Sequence, residues 1–497
     1  MEELHDSAAL LSALRGAVPQ GRELIDEGDL PKIKELTRRL VAARPGAVAE
    51  YRRFTAVRER GIELPGEELT AWLRGATVLV TGGTGCIGSL LTEHLAALGP
   101  GRLVSLSRGQ TLPSRTVPGA EYVEADIRDR CRLDAVFDAV RPDVVFHVAA
   151  QRSPARAETE VLHTVSTNIL GTRNVLETSV GHGVRDVVCA STGKALRPYS
   201  PDVYAASKRV AEWLVSRAAA TCSIRFAATR FTHVVDNSII AHRIDSWCKE
   251  GVIRLHSPEI NFYVQSALES VQLLLAAGLD CHVGRLRVHA LRDLGWPVNL
   301  LDLALGMITE TKSDSPVYLA GYERGYEEVP FPGLYDPRTA GDLSPLINAF
   351  EAVGAVAGRT PAVDAFDLPA PCCDEPAVDR FEQLEALCEQ AYGNGYAPAG
   401  DYGAETESAV RAALDALSWD LLDNTLHDMP PAQLARTIRL TAANEDVLNP
   451  VNRRILAALR RAAAGEHATA HRPPGVPPPP VPVHAPSPAG AHAVNAS

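Results

Sequence analysis

The sequence has no CxxC pair and no Cys/His spacing suited to zinc. Its nine cysteines, at positions 86, 131, 189, 222, 248, 281, 372, 373 and 388, are scattered. That excludes a metal site of the usual kind and a disulfide framework, and fits reduced thiols in a cytoplasm. Nor is there a surplus of positive charge. Against 61 Asp and Glu stand 49 Lys and Arg, a net charge of −12, so the basic patch of a nucleic-acid binder is not expected. An anionic small molecule remains compatible, because helix N-termini hold phosphates without basic side chains. No run of about 20 apolar residues is present to cross a bilayer. The opening MEELHDSAALLSALRG is acidic and lacks a long apolar run, so it does not read as a signal peptide. No internal repeat is visible.

Apolar residues nevertheless make up 46% of the 497, enough for a large core and two or three domains. Residues 1–74 are polar with helical periodicity and predict two or three helices as an N-terminal extension. From Ala76 the pattern changes. TVLVTGG is a β-branched run ending in glycines, and the amphipathic IGSLLTEHLAAL after it stops at Gly99. RLVSLS, a helix near Arg132–Val140, DVVFHVAA, a helix through Asn168–Ser179, and DVVCAST follow. Alternating buried strands and helices predict an α/β fold with a doubly wound parallel sheet. IRFAATRF, SALESVQLLLAAG, LRVHAL and VNLLDLALGMI are expected to form a smaller lobe beside the sheet, closing a domain over 75–352. Residues 371–466 read as helical, and 467–497, rich in proline and poor in large apolar groups, as a disordered or extended tail.

TGGTGCIG, Thr81–Gly88, stands between a strand and a helix, the context in which such a glycine pattern marks a dinucleotide site. Gly82 permits the tight turn, Gly85 lets backbone amides approach a pyrophosphate, and Gly88 packs the helix on the sheet. Thr84, Cys86 and Ile87 complete the loop. The next strand ends in Ser107-Arg108 where an NAD site usually has an acid. A hydroxyl and a guanidinium suit a 2′-phosphate, so NADP is the expected cofactor, with NAD the alternative. Asp126 and Ile127 are placed to flank the adenine, and Ala149 and Ala150 are small enough for a cofactor to lie close.

Several pieces together resemble the extended short-chain dehydrogenase/reductases, in particular the polysaccharide-biosynthesis branch that contains nucleotide-sugar epimerases and 4,6-dehydratases. They are TGGTGCIG, HVAAQR (147–152), TNILGTRNVLE (167–177), STGKA (191–195), YAASKRVAE (204–212) and RFTHV (230–234). The resemblance implies a Rossmann domain with a small C-terminal substrate lobe, a bound nicotinamide cofactor and a nucleotide-sugar substrate. A homo-oligomer in the cytoplasm is expected. The resemblance makes Tyr204 the catalytic tyrosine and Lys208 its partner. Chemistry points the same way: a phenol with pKa of about 10 needs a nearby ammonium to work as a base near neutrality. Candidate substrate contacts are Arg152, Thr192, His233 and Asn237.

In the family's dehydratases the stretch after the fifth strand typically reads Ser-Thr-Asp-Lys. The threonine binds the sugar's 4-oxygen, the aspartate protonates departing water, and the lysine removes the C5 proton. Here it reads Ser191, Thr192, Gly193, Lys194. Thr192 and Lys194 remain and the acid is gone. A positioned proton donor is worth roughly 10² to 10⁴ in rate, so epimerisation is favoured. The alternatives are dehydration with His233 or Tyr199 as the acid, a net NADP-dependent dehydrogenase or reductase of a specialised metabolite, and a non-catalytic dinucleotide-binding regulator.

Overall fold

The computed structural model describes residues 2–22, 25–110, 116–322, 325, 326, 329, 331–339, 343–368, 375–392 and 402–465. The proline-rich tail from 467 lies outside them. The polar first segment folds as four helices, α1 (Glu2–Ala17), α2 (Leu30–Ala43), α3 (Ala47–Ala56) and α4 (Gly66–Leu73). The helix beyond the expected two or three is α4. At eight residues it is too short for a clear periodic pattern, and it forms by burying Leu69 and Leu73.

Strand and helix then alternate. In chain order come β1 (Thr77–Thr81), α5 (Cys86–Leu98), β2 (Arg102–Ser107), β3 (Ala120–Glu124), α6 (Arg130–Val140) and β4 (Val144–His147). Next are α7 (Pro154–Thr159), α8 (Val161–Val165), α9 (Gly171–Gly181), β5 (Asp186–Thr192), α10 (Val203–Thr221) and β6 (Arg225–Phe231). A π-helical turn, Ser166–Leu170, joins α8 to α9. Successive strand residues face opposite sides, and in β1 both sides are apolar. Leu79 packs in one cluster with Leu133 of α6, Val175 of α9 and Val210 of α10. Val78 and Val80 pack in another with Leu91 and Leu95 of α5. A strand buried on both faces is what a parallel sheet requires.

The rest of the domain comprises β7 (His233–Val234), α11 (Ile239–Glu250), β8 (Ile253–Leu255), β9 (Asn261–Phe262), β10 (Val264–Gln265) and α12 (Ala267–Leu279). It continues with β11 (Leu286–Leu291), β12 (Val298–Asn299), α13 (Leu300–Thr311), β13 (Val317–Leu319), β14 (Val356–Ala357) and β15 (Val363–Leu368). Among the described residues the main sheet has nine strands, in the order β14-β15-β11-β6-β5-β4-β1-β2-β3. It is parallel from β3 to β11, and β15 and β14 add antiparallel. With helices on both faces it is a Rossmann-type sheet. This corrects the expectation for IRFAATRF, SALESVQLLLAAG and LRVHAL. They are not part of a side lobe: β6 and β11 are sheet strands, and α12 packs beside α5 on the sheet. Phe226, Ala227 and Val288 are buried completely, which needs cover on both faces. The sheet also runs past 352, through β15.

The side lobe is built from α11, α13 and three two-stranded pairings, β7 with β10, β8 with β13 and β9 with β12. Its core is shared with the N-terminal helices: Leu10, Leu14, Ile33, Leu40 and Phe54 pack with Leu301, Leu305 and Tyr318. At Gly306 of α13 a Cβ would collide with Ala47 O of α3, so glycine lets the two helices touch by their backbones. The last helices, α14 (Glu375–Tyr392), α15 (Ala404–Asp428), α16 (Pro431–Ala442) and α17 (Pro450–Ala463), were legible from their periodicity. Phe381, Leu384, Val410 and Leu414 of α14 and α15 join Val161, Val165 and Trp213 in the main core.

One charge lies at the centre of this packing. Arg230 on β6 is fully buried. It donates to Glu212 of α10 through Nε (2.9 Å) and Nη2 (2.8 Å), and to Glu351 through Nη1 (2.7 Å) and Nη2 (2.8 Å). Nη1 also reaches Leu346 O at 3.1 Å. Removing one member of such a group leaves an uncompensated buried charge, at a cost of about 3–5 kcal/mol. Arg230→Met should therefore lower stability by about that amount in urea unfolding. A loss below about 1 kcal/mol, the worth of an exposed ion pair, would show that the guanidinium is dispensable.

Candidate active site

The site forms at the carboxyl ends of β1, β4 and β5. At β1 the chain turns sharply through Gly82, whose φ is +74°. Both Gly82 N (2.8 Å) and Gly83 N (3.3 Å) bond to Leu106 O of β2. A Cβ on Gly82 would lie 2.7 Å from the Ala149 backbone, and one on Gly88 would collide with Gly82 O. Turn and helix thus touch through the two positions where only glycine fits. Gly85 is the N-cap of α5 and is exposed, with Thr84, Cys86 and Ile87 half-buried around it. The first N–H groups of a helix have no intrahelical acceptor, so this end of α5 is suited to a pyrophosphate.

Beyond β2 and β3 lies a cavity of about 370 Å³ lined by Arg108, Gln110, Glu124, Ala125, Asp126, Arg128 and Arg132. Arg108 is exposed at its rim, and Ser107 beside it is half-buried. Arg128 grips Asp126 with Nε (3.1 Å) and Nη2 (2.8 Å). Burial raises the Asp126 carboxyl, but the bonds and charge of Arg128 outweigh it and hold the pKa below its ordinary value. Ile127 does not face the cavity. Its side chain packs against Gly171, where a Cβ would come within 2.7 Å. Ala149 is half-buried, with its backbone against Gly82, and Ala150 is exposed.

Tyr204 and Lys208 stand on the first turns of α10, which Asp202 caps by accepting from Ala205 N at 3.0 Å. Thr192 lies beside Tyr204, close enough to lower its pKa. Lys208 is buried and donates from Nζ to Ala190 O of β5 at 2.8 Å. Burial pushes the Tyr204 phenol up to about 12, against the lowering by Thr192 and Arg152; Asp202 adds to the rise. The chain alone thus does not bring the phenol into working range, because Lys208 is bonded to a carbonyl and a buried phenolate loses its hydration. Beneath them His147 bonds Thr81 (2.8 Å) and Thr172 (2.9 Å). Burial lowers its pKa to about 3, keeping it neutral.

On the substrate side the structure brings Arg152 and Asn237 together. With its carboxamide oxygen turned toward Arg152, Asn237 accepts from Nη1 (2.5 Å) and Nη2 (3.1 Å). His233 bonds Ser238 Oγ at 2.6 Å and packs edge-on to Phe262, and burial lowers its pKa to about 4. Lys194 pairs with Asp202 (3.0 Å) and donates to Gly325 O (2.7 Å). Tyr199, considered above as a substitute acid, is directed elsewhere: it donates to Asp415 of α15 at 2.6 Å and packs on Trp419.

Gly193 does not border open space. A Cβ there would lie 2.8 Å from Leu346 Cδ2 and 3.4 Å from Phe231 O. Leu346 belongs to the segment held by Arg230, and Asn348 of that segment bonds Leu196 O at 2.7 Å. Three residues of the site escaped the reading by motif. Asp202 carried a signal, an acidic residue just ahead of a helix. Asn168, in the π-helical turn, binds Gln151 N (2.8 Å), Gln151 O (3.0 Å) and Ser207 Oγ (3.1 Å). It lay inside a recognised motif, but only the fold shows what it ties together. Leu346 carried no local signal.

Curated relatives match parts of the chain. A probable polysaccharide biosynthesis protein, EpsC of Bacillus subtilis, is 26% identical over 303 residues, 58% of this chain and 48% of its own. A UDP-N-acetylglucosamine 4,6-dehydratase (inverting) of Campylobacter jejuni is 32% identical over 167 residues, 32% of this chain and 49% of its own. A UDP-glucose 4-epimerase of Rickettsia rickettsii is 26% identical over 215 residues, 40% of this chain and 62% of its own. The chain spans about half the length of the first of these. The turn at Gly82, the Tyr204 helix and the segment after β5 all fall within residues 78–328, about half of the chain, which match the model of the polysaccharide biosynthesis proteins, and the chain belongs to that family.

Proposed function

We propose that the protein inverts a carbinol centre of a nucleotide-linked sugar through a transient ketone, with a nicotinamide dinucleotide as cofactor. The glycine turn, the open end of α5 and the cavity beyond β3 fit such a dinucleotide, which supplies a hydride acceptor and donor. The chain's own part is proton handling and orientation. Tyr204 takes the hydroxyl proton and returns it, and Thr192 beside it orients the same oxygen. Arg152 and Asn237 form the polar wall for the substrate. The relatives named for a UDP-sugar dehydratase and a UDP-sugar epimerase support the substrate class.

The observation that favours epimerisation is Leu346 against Gly193. The acid of a dehydratase is absent, and Leu346 crowds the place its Cβ would take. Neither proposed substitute serves. Tyr199 is bonded to α15, and His233 is neutral and bonded to Ser238. Lys194, paired with Asp202, is a poor base, so inversion at the oxidised carbon needs no exchange with solvent. Incubation with a panel of nucleotide sugars in heavy water should give an epimer without deuterium and without loss of water. A 4-keto-6-deoxy product would overturn the reading. Deuterium beside the ketone would instead assign Lys194 as a base.

Tyr204→Phe should keep the melting temperature and dinucleotide binding while turnover falls by about 10²- to 10⁴-fold; turnover near the wild-type rate would exclude Tyr204 as the proton-transfer group. Gly193→Asp should not create dehydration. It should lose about 1–3 kcal/mol by crowding Leu346, and the double variant with Leu346→Ala should recover part of that loss; an unchanged urea midpoint for the single variant would disprove the contact.

For the cofactor, we favour NADP, since Arg108 and Arg132 line the cavity. Glu124 lines it too, with its carboxylate beside Gly109, and that acid favours NAD. Arg108→Ala should weaken NADP more than NAD in calorimetric titration. Equal loss for both, with Glu124→Gln impairing NAD alone, would assign NAD.

A further inference from the structure

The last helices lie outside the residues that match the family, yet one of them reaches the dinucleotide cavity. Tyr392, the final residue of α14, stands behind Arg128. The Arg128 guanidinium lies 5.9 Å from the centre of the Tyr392 ring. The Tyr392 hydroxyl meets Ser166 Oγ of the π-helical turn at 2.8 Å, and Tyr402 packs edge-on against its ring at 5.1 Å. Arg128 is 3% exposed. Toward the cavity it holds Asp126 through its backbone N–H (2.9 Å), Nε (3.1 Å) and Nη2 (2.8 Å), and its Nη1 meets His163 Nδ1 at 3.2 Å.

We propose that Tyr392 is a positioning residue for the adenosine end of the cofactor, acting through Arg128 on Asp126. The proposal rests on the dinucleotide reading above. An ionised carboxylate offers about four acceptor sites. Three Arg128 donors engage it, with Nε reaching both oxygens at 3.1 Å, and the side chain stays 24% exposed, an edge open to an exocyclic amine or a ribose hydroxyl. Its direction depends on where the guanidinium sits. A buried arginine has long side-chain freedom to lose, and the Tyr392 ring packs against the Arg128 guanidinium. In this way the C-terminal helices complete a site whose binding motif lies at the other end of the domain.

The test uses the full chain, with ADP-ribose, NAD and NADP as probes. Tyr392→Ala should weaken all three alike, by about tenfold, the worth of one charge-assisted hydrogen bond. Tyr392→Phe keeps the ring over Arg128 and should restore most of the affinity. In an Asp126→Asn background Tyr392→Ala should cost little more, because both changes break one path. A lowered melting temperature with unchanged ADP-ribose affinity overturns the proposal, as do fully additive losses. Should Tyr392→Ala fail to fold, Arg128→Lys keeps the charge without the fork and carries the same expectation and the same overturning result. Wild-type protein that binds none of the probes defeats the dinucleotide reading itself, and this proposal with it; wild-type binding with unaltered variants overturns the role of Tyr392 alone.

Discussion

A guanidinium with no access to water must be neutralised where it stands, and Arg230 is neutralised by carboxylates from two distant parts of the chain, Glu212 on α10 and Glu351 beyond the side lobe. In a low-dielectric interior the alternatives are costly, so the three side chains admit one arrangement. That arrangement carries the site. Glu212 also accepts from Ser191 Oγ at 2.6 Å, next to Thr192, and it lies on the helix that bears Tyr204 and Lys208. Arg230 further holds Leu346 O, which places the leucine against Gly193. The network's value lies in placement more than in net stability, since a well-packed apolar replacement of a whole buried ion group is often neutral.

The electrostatics of the catalytic corner follow from pairing and burial together. His147 and His233 are kept neutral by burial, and the Asp202 carboxyl is held low, against its burial, by Lys194 and Arg197. Among the described residues near Thr192, Lys194 is paired with Asp202, Tyr199 with Asp415, and His233 is bonded to Ser238. The proposed carbinol inversion rests on that arrangement, because expulsion of water needs an acid of its own.

The helices at both ends of the chain belong to the working structure because each has an apolar face that the sheet domain completes. α1 to α3 bury theirs against α13 and the side lobe. α14 and α15 bury theirs against α8 and α10, with Arg411 bonded to Glu158 (2.6 Å) and Glu407 capping Leu162 N (2.9 Å). Those contacts carry Tyr392 to Arg128 and Asp415 to Tyr199.

Much of this was legible in the residues. The glycine turn, the strand–helix alternation, the Tyr204/Lys208 pair and the missing acid at Gly193 are local patterns, and local backbone chemistry enforces them: a positive φ at Gly82, an i to i+4 spacing on one helix face. Periodicity could not assign β6, α12 and β11 to the sheet, since a buried run reads alike in a sheet and in a lobe. Nor could it show that Lys208 bonds a carbonyl, that Tyr199 bonds α15, that Ile127 packs against Gly171, or that Leu346 meets Gly193 and Tyr392 meets Arg128. Those facts depend on side chains far apart in the chain meeting across a packed core, and no spacing along a sequence records which distant partner a charge or a ring will find. Sequence alone determined the fold and the chemistry available; tertiary packing decided which of that chemistry is exposed to a substrate.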